Sequence, residues 1–486
     1  MKRAIIFVFD DITQTPPQIR ALIDCDHFGE VVRKRSSLAQ EFKAIATNLT
    51  AQRFVHLKSA QDRTNLMDEL LATGVEQNTI IHCDSAISIV DHPAFVTSIE
   101  QAVISGRFLS LDDQLSVVCT SSAIQYKEYL QLKYAQRSTP ARIIIDQLNI
   151  VIKTKQLVLR IDNFDNFLDY ISGELDTRHF NQVSSDLYFI TKRSTDKDKI
   201  QAEYQFFSLI PEAMQIWFVQ PFDFQINDDI ASYRMERLKL PDVAVLWIHG
   251  AINSNQFGAL LNKLALFLAS RAETKVDKTD VAATFDSLYL TKVKTRHDQL
   301  KQWPLYNKFD KLIAGGTEFD SIDQVYEKYY QALNKVKGSL LKYAKQRKVV
   351  GHGDPCFSNI LYDKQTGLLR LIDPKGATTE PEIWTDFFYD FAKIFHSILG
   401  DYDYINNGIY SVEMNAQCQL EVVIDHRTPA LKTEFIDYIH SLGINSQELR
   451  VLECSLFLSM LPLHIDMPHK VFALLVRGIE ILREAQ

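Results

Sequence analysis

At 486 residues the chain exceeds what one hydrophobic core ordinarily spans, roughly 250 to 300 residues, so two or three domains are expected. Hydrophobic residues make up 46% and charged residues 23%, the balance of a globular chain, and the formal net charge of −8 argues against general nucleic-acid binding. The six cysteines, Cys25, Cys83, Cys119, Cys356, Cys418 and Cys454, form no C-x-x-C pair, so neither a zinc site nor a disulfide framework is suggested, which fits a reducing cytoplasm.

Met1-Lys2-Arg3 followed by the apolar run Ala4 to Phe9 has the outline of a signal peptide, but the run ends at Asp10-Asp11 without a small-residue cleavage site and reads as a buried first strand. No apolar stretch reaches the roughly 18 to 20 residues of a membrane span, so no membrane insertion and a cytoplasmic location are expected. The oligomeric state leaves no mark in the sequence.

Residues 1–130 alternate short apolar runs with helical patterns. Strands are predicted at Ala4–Phe9, Glu30–Arg33, Arg53–Leu57, Thr79–Cys83 and Ser116–Cys119, and helices at Ser37–Thr47, Asp62–Thr73 and Pro93–Ser105. This order predicts an α/β domain with a mostly parallel sheet, whose ligands gather at the carboxyl ends of the strands. Asp10-Asp11 and Asp84 stand at two such ends, where they either serve a ligand or cap local turns.

Residues 131–180 read as a connecting segment, with strands at Ile143–Ile152 and Gln156–Ile161 and a helix at Asn166–Glu174. Over 181–240, Leu187–Arg193 alternates as a strand and Ile200–Leu209 is helical and carries Glu203. Two further strands are predicted at Gln215–Val219 and Ala231–Arg237, the second running through Met235-Glu236. From 241 to 347 the chain is strongly helical, with apolar faces over Asn255–Ala272, Asp280–Gln302 and Ser321–Gln346.

The densest signal follows, at Lys348–Ala377, KVVGHGDPCFSNILYDKQTGLLRLIDPKGA. Asn359–Tyr362 and Leu368–Asp373 form two short strands joined by the turn Asp363–Gly367, so a hairpin brings Asn359 and Asp373 together beside the loop of His352 and Asp354. Transfer of a phosphoryl group requires a divalent metal on hard oxygen ligands and a carboxylate to orient the attacking hydroxyl. Asp354 suits the carboxylate, and Asn359 and Asp373 suit the metal. His352 reads as a catalytic-loop residue that braces the loop by hydrogen bonds.

HGDPCFSN followed by LIDPKGA resembles the catalytic and metal-binding motifs of the aminoglycoside phosphotransferase and choline kinase family, which has a protein-kinase-like fold. The resemblance covers residues 181–486 and implies ATP and Mg2+ as cofactors, a small-molecule substrate, an N-lobe over 181–240 and a helical C-lobe over 241–486. It implies Lys192 as the ATP lysine, with Arg193 the competitor. Glu203 becomes its ion-pair partner, favoured over Glu212, and Glu236 marks the strand leading to the adenine hinge. No G-x-G-x-x-G is present, and Asn181–Ser185 stands where the phosphate-covering loop is expected. Asp390, in the run Trp384–Ser397, is expected to hydrogen-bond back to the catalytic loop, and Asp401, Asp403 and Asp466 are candidates to receive a cationic acceptor.

The N-terminal domain is similar in outline to Rossmann-like, GT-A-type nucleotide-sugar-binding folds, although it lacks a full Asp-x-Asp and the glycine-rich first loop. Phe9–Thr13 is also similar to the haloacid dehalogenase phosphatase motif, but Val8 stands where the nucleophilic Asp belongs, which argues against a phosphatase. The fold expectation is therefore an α/β N-terminal domain followed by an α+β bilobal protein-kinase-like domain. The functional expectation is an ATP-dependent kinase of a sugar, amino alcohol or related metabolite, in cell-surface (capsular) polysaccharide synthesis. The alternatives are a mainly N-terminal nucleotidyl- or glycosyltransferase with an accessory kinase, and a kinase-fold binding module. A protein kinase is disfavoured because no A-P-E follows Asp373, and a pseudokinase because Asp354 and Asp373 are both present.

Overall fold

The computed structural model describes residues 4–33, 35–72, 78–135, 139–153, 157–172, 181–185 and 188–485. The chain divides into two compact units, 1–171 and 172–486.

In the first unit the unbroken apolar run becomes β1 (Ala4–Asp10), whose Phe7, Val8 and Phe9 are fully buried, as a strand covered on both faces must be. Helix α1 (Leu38–Asn48) opens with a capping box between Ser37 and Gln40. Then follow β2 (Arg53–Leu57), α2 (Ala60–Ala72), β3 (Asn78–Asp84), α3 (His92–Ser105), β4 (Leu109–Ser110), β5 (Val117–Thr120) and α4 (Ala123–Lys133). After α5 (Ala141–Leu148) the strand β6 (Val151–Ile152) closes a six-stranded sheet of order β2-β1-β3-β5-β4-β6. The pairs β1–β2, β1–β3 and β4–β6 are parallel, while β3–β5 and β4–β5 are antiparallel. The sheet is thus mixed, its parallel part confined mainly to β2-β1-β3.

The strand expected over Ile143–Ile152 holds only at Val151–Ile152 and is corrected before that. Its β-branched run belongs to α5, because Ile144 and Leu148, four apart, are the buried residues and Asn149 ends the helix in the left-handed conformation.

The second unit begins with an antiparallel sheet of order β7-β8-β10-β9, made of β7 (Asn181–Ser185), β8 (Phe189–Ser194), β9 (Pro221–Ile226) and β10 (Ala231–Glu236). Helix α6 (Lys197–Leu209), capped by Asp196, lies between β8 and β9 in the chain. Two expectations fail here. Asn181–Ser185 is not a loop, because its backbone pairs with β8 from Asn181↔Ser194 to Ser185↔Ile190. Gln215–Val219 is not a strand: a helical turn, Glu212–Gln215, starts behind Pro211, and Phe218 packs against Phe206, Phe267 and His352. The apolar spacing there records burial on several sides, and the strand β9 starts only at Pro221.

The helical remainder contains α7 (Ser254–Ser270), α8 (Lys292–Lys301) and α9 (Ile322–Ala344), which delivers the chain into β11 (Arg347–Val350). The hairpin β12 (Ile360–Asp363) and β13 (Leu368–Leu371) pairs Ile360 with Leu371, its turn closed by Gly367 at φ +71°. Helices α10 (Tyr389–Ile398), α11 (Ser446–Met460) and α12 (Pro468–Glu484) complete the unit. Every residue from Leu449 to Met460 is buried, so α11 is the central helix of this core. Among the described residues no helix is long and apolar enough to cross a membrane.

Candidate active site

Strand β11 ends in Gly351-His352-Gly353-Asp354, and three sets of hydrogen bonds fix this loop. His352 is fully buried, its Nδ1 accepts the Asp354 N–H at 3.1 Å, and its Nε2 donates to the Ile372 carbonyl at 2.9 Å. Both ring nitrogens are therefore committed to backbone, and burial lowers the imidazole pKa and keeps it neutral. His352 braces the loop and joins it to the strand leading to Asp373. The Asp390 carboxylate at the start of α10 accepts the His352 N–H at 3.1 Å and the Gly353 N–H at 2.9 Å, and Arg271 reaches it at 3.4 Å. Asn359 donates from Nδ2 to the Asp354 carbonyl at 2.8 Å, which closes the loop from its other end.

Across from this loop, Lys192 on β8 and Glu203 on α6 face each other at 2.7 Å, both nearly fully buried. The same Lys192 ammonium lies 2.9 Å from Asp373 Oδ1. Burial alone would lower the Lys192 pKa, but the Asp373 and Glu203 carboxylates outweigh it and raise the value, so the lysine stays charged. Burial also raises Glu203, a shift that Lys192 partly offsets, and the Tyr233 hydroxyl donates to its Oε2 at 3.1 Å. Arg193 and Glu212, the sequence-level competitors, are exposed. Glu236 is exposed at the end of β10, where the chain leaves the sheet.

Asp373 takes a left-handed backbone, φ +56°, uncommon for a residue with a side chain. After it, Gly376 at φ +86° lets the chain touch α6, and the Ala377 N–H donates to the Ala202 carbonyl at 3.0 Å. Lys192, Glu203 and Asp373 thus form one ion-paired group, and the residue before Asp373 ties it to the Asp354 loop: the Ile372 N–H donates to the Asn359 carbonyl at 3.0 Å and its carbonyl accepts from His352. Asn359 donates from its amide nitrogen to the loop and keeps a carbonyl oxygen, and Asp373 supplies a carboxylate. This hard-oxygen pair fits Mg2+ when phosphate oxygens and water complete the shell. Among the described residues no group of three or more His, Cys, Asp or Glu side chains converges as a metal cage.

One neighbour of Asp354 was not read from the sequence. Lys393 on α10 lies 2.9 Å from Asp354 Oδ1. Against the desolvation that would raise it, this ammonium holds the Asp354 pKa down to about 2, so the carboxylate is ionised at neutral pH. The available signal was spacing: Lys393 follows Asp390 by three and Tyr389 by four, which puts it on the helix face turned to the loop.

The acids expected to receive a cation behave differently. Asp401 is buried against Lys432 at 2.6 Å, His426 at 2.7 Å and Arg477 at 3.5 Å. Asp403 is fully buried, and burial pushes its pKa up to about 8. Asp466 is exposed.

In the first unit the register pairs Asp10 with Asp84 at the carboxyl ends of β1 and β3. Each carboxylate is already matched: Asp10 by Arg63 at 2.8 Å and the Tyr134 hydroxyl at 3.2 Å, Asp84 by Lys133 at 2.7 Å. Asp11 accepts the Gly29 N–H at 3.1 Å and lies 3.1 Å from His56 Nε2. These contacts favour structural pairing over a ligand-serving role.

No protein-family model matches the chain, and no curated protein matches it. Solved structures do. A thermostable mutant of aminoglycoside phosphotransferase APH(4)-Ia, in ternary complex with ADP and hygromycin B, is similar at 12% identity and a TM-score of 0.36 over 66% of this chain and 97% of that one. The GDP complex of aminoglycoside 2'-phosphotransferase-IIIa is similar at 13% identity and a TM-score of 0.36 over 64% of this chain and 90% of that one. An ethanolamine kinase of Plasmodium vivax is similar at 13% identity and a TM-score of 0.30 over 74% and 96%.

Proposed function

We propose that the second unit is an ATP- and Mg2+-dependent kinase of a small-molecule hydroxyl group. The observation that carries this reading is the Lys192 ammonium held between Glu203 at 2.7 Å and Asp373 at 2.9 Å, and tied through Ile372 to the Asp354 loop. A desolvated cation presented beside a metal-type carboxylate is what a nucleotide's phosphates require.

In this reading Lys192 binds the phosphates and Glu203 keeps its ammonium aimed at them. Asn359 and Asp373 would hold Mg2+, which when bound neutralises charge on the phosphate oxygens. Asp354 accepts the proton of the acceptor hydroxyl as the new O–P bond forms and the bond to the ADP oxygen breaks. With Oδ1 paired to Lys393, Oδ2 is the oxygen left to take that proton. His352 and Asp390 act on position only, by holding the loop amides.

The test is magnesium-dependent ADP release by the full chain against sugars, sugar acids, sugar phosphates and amino alcohols, with Asp354→Asn in parallel. Acceptor-dependent release that the substitution abolishes supports the reading. Failure of the protein to bind ATP with magnesium overturns it.

A further inference from the structure

Around the proposed base the charges do not balance. Tyr389 and Lys393 stand four apart on α10 and so share one face. Lys292, at the start of α8, donates to the Tyr389 hydroxyl at 2.9 Å, and its ammonium lies 5.4 Å from the ring centre. Tyr389 itself is almost completely buried. The phenol therefore sits where two ammoniums and one carboxylate act together: Lys292, Lys393 and Asp354. Burial alone would raise its pKa, yet the two lysines lower it below the ordinary tyrosine value.

Lys393 is matched by Asp354, which leaves the Lys292 ammonium with the Tyr389 phenol oxygen as its hydrogen-bond acceptor. A half-buried ammonium is stabilised more by an anion than by a phenol oxygen. The excess also grows during phosphoryl transfer, because Asp354 loses its charge on taking the acceptor proton while both lysines keep theirs. The neighbouring carboxylates among the described residues have other partners: Asp386 accepts the Tyr289 hydroxyl and the Phe388 N–H, and Asp390 the two loop amides beside Arg271. Asp401 is enclosed by Lys432, His426 and Arg477, and Asp403 is fully buried, which raises its pKa and disfavours its charged form.

We infer that the acceptor carries its own anionic group, a carboxylate or a phosphate, which the Lys292 and Lys393 ammoniums hold while Asp354 receives the hydroxyl proton. This rests on the kinase reading and narrows it, because it selects hydroxy acids, sugar acids or sugar phosphates and rejects amino alcohols and amino sugars. The Tyr389 hydroxyl becomes a hydrogen-bond donor to the same anionic group once Lys292 turns to it.

The test uses the full chain with ATP and magnesium and a matched acceptor set: glycerol, ethanolamine, glycerate, glycerol 3-phosphate, glucose, glucosamine, glucuronate and glucose 1-phosphate. Preference for the anionic members by about tenfold or more in kcat/KM is expected, and the carboxylate and phosphate arms identify which anion is held. Lys292→Gln should raise KM for the anionic acceptor about tenfold with a much smaller change in kcat, and Lys292→Glu should reverse the charge preference. Circular dichroism shows whether each variant is folded.

Preference for the neutral or cationic members overturns the inference and leaves the kinase reading standing, as does a rise confined to KM for ATP in Lys292→Gln. Turnover of none of the eight by protein that binds ATP with magnesium overturns the inference and the kinase reading together.

Discussion

Lys192 Nζ lies 2.9 Å from Asp373 Oδ1, so a buried residue of the antiparallel sheet and a half-buried residue beyond the β12–β13 hairpin share one ion pair. Glu203 holds the same ammonium from the other side at 2.7 Å. Removing the cation leaves two facing carboxylates and no anchor for phosphate. Lys192→Met should lower kcat/KM for ATP about 100-fold, the scale of losing one preorganised charge partner. Arg193→Met, an exposed neighbour on the same strand, should change it by about twofold or less. Steady-state kinetics with varied ATP separates the two.

Gly376 is the point where the chain after Asp373 touches α6. A methyl group there would meet backbone atoms of Ala202 and Glu203 at 2.6 to 2.9 Å, and φ +86° is itself unfavourable for a side chain. Gly376→Ala should therefore push α6 away and pull Glu203 from Lys192. The expected result is a stability loss of about 1 to 3 kcal/mol in denaturant unfolding, together with weaker ATP binding.

Asp390 accepts two loop amides and Arg271, all within the core. Asp390→Asn offers one carbonyl oxygen where two carboxylate oxygens served, and leaves Arg271 buried beside a neutral amide. A loss of about 3 kcal/mol or more is expected, since removing one partner of a buried ion pair strands the other. Turnover should fall further than ATP affinity, because the loop it holds carries Asp354 and not the phosphate anchor.

Asp401 gives a pH signature. Burial would raise its pKa, but His426, Lys432 and Arg477 bring it down from 3.8 to about 2. A folded-state value below the unfolded one means the stabilisation is present above about pH 4 and is lost as pH falls through about 2. Asp401→Asn should therefore destabilise the protein by roughly 2 kcal/mol or more at pH 7, with the gap to the parent narrowing below pH 4. Denaturant unfolding at pH 7, 4 and 3 checks the sign.

The arrangement of the Lys348–Ala377 stretch was legible in the sequence because its contacts are local. His352, Asp354, Asn359 and Asp373 fall within one loop and one hairpin, so their spacing already implies their meeting. Lys192 and Glu203 were legible as a strand lysine followed by a helix glutamate. The choice between Lys192 and Arg193 was not, because it depends on which face of β8 turns inward, and burial of Lys192 settles that face. Lys393 and Lys292 were missed for a related reason: a helix lysine looks like solvated surface until the loop it faces is placed. Ile143–Ile145 was misread because three β-branched residues in a row imitate a strand, while the buried pair Ile144 and Leu148 carries helical spacing. Gln215–Val219 failed because its aromatic residues pack in several directions, which period-two alternation does not distinguish.

The central claim is that Asp354 receives the acceptor proton in a phosphoryl transfer. Its most direct test measures ATP affinity and acceptor-dependent turnover in Asp354→Asn side by side. Turnover should fall by about 100-fold or more, the usual contribution of a positioned base, while the dissociation constant for ATP stays within about threefold. Near-parental turnover in the folded variant would contradict the claim.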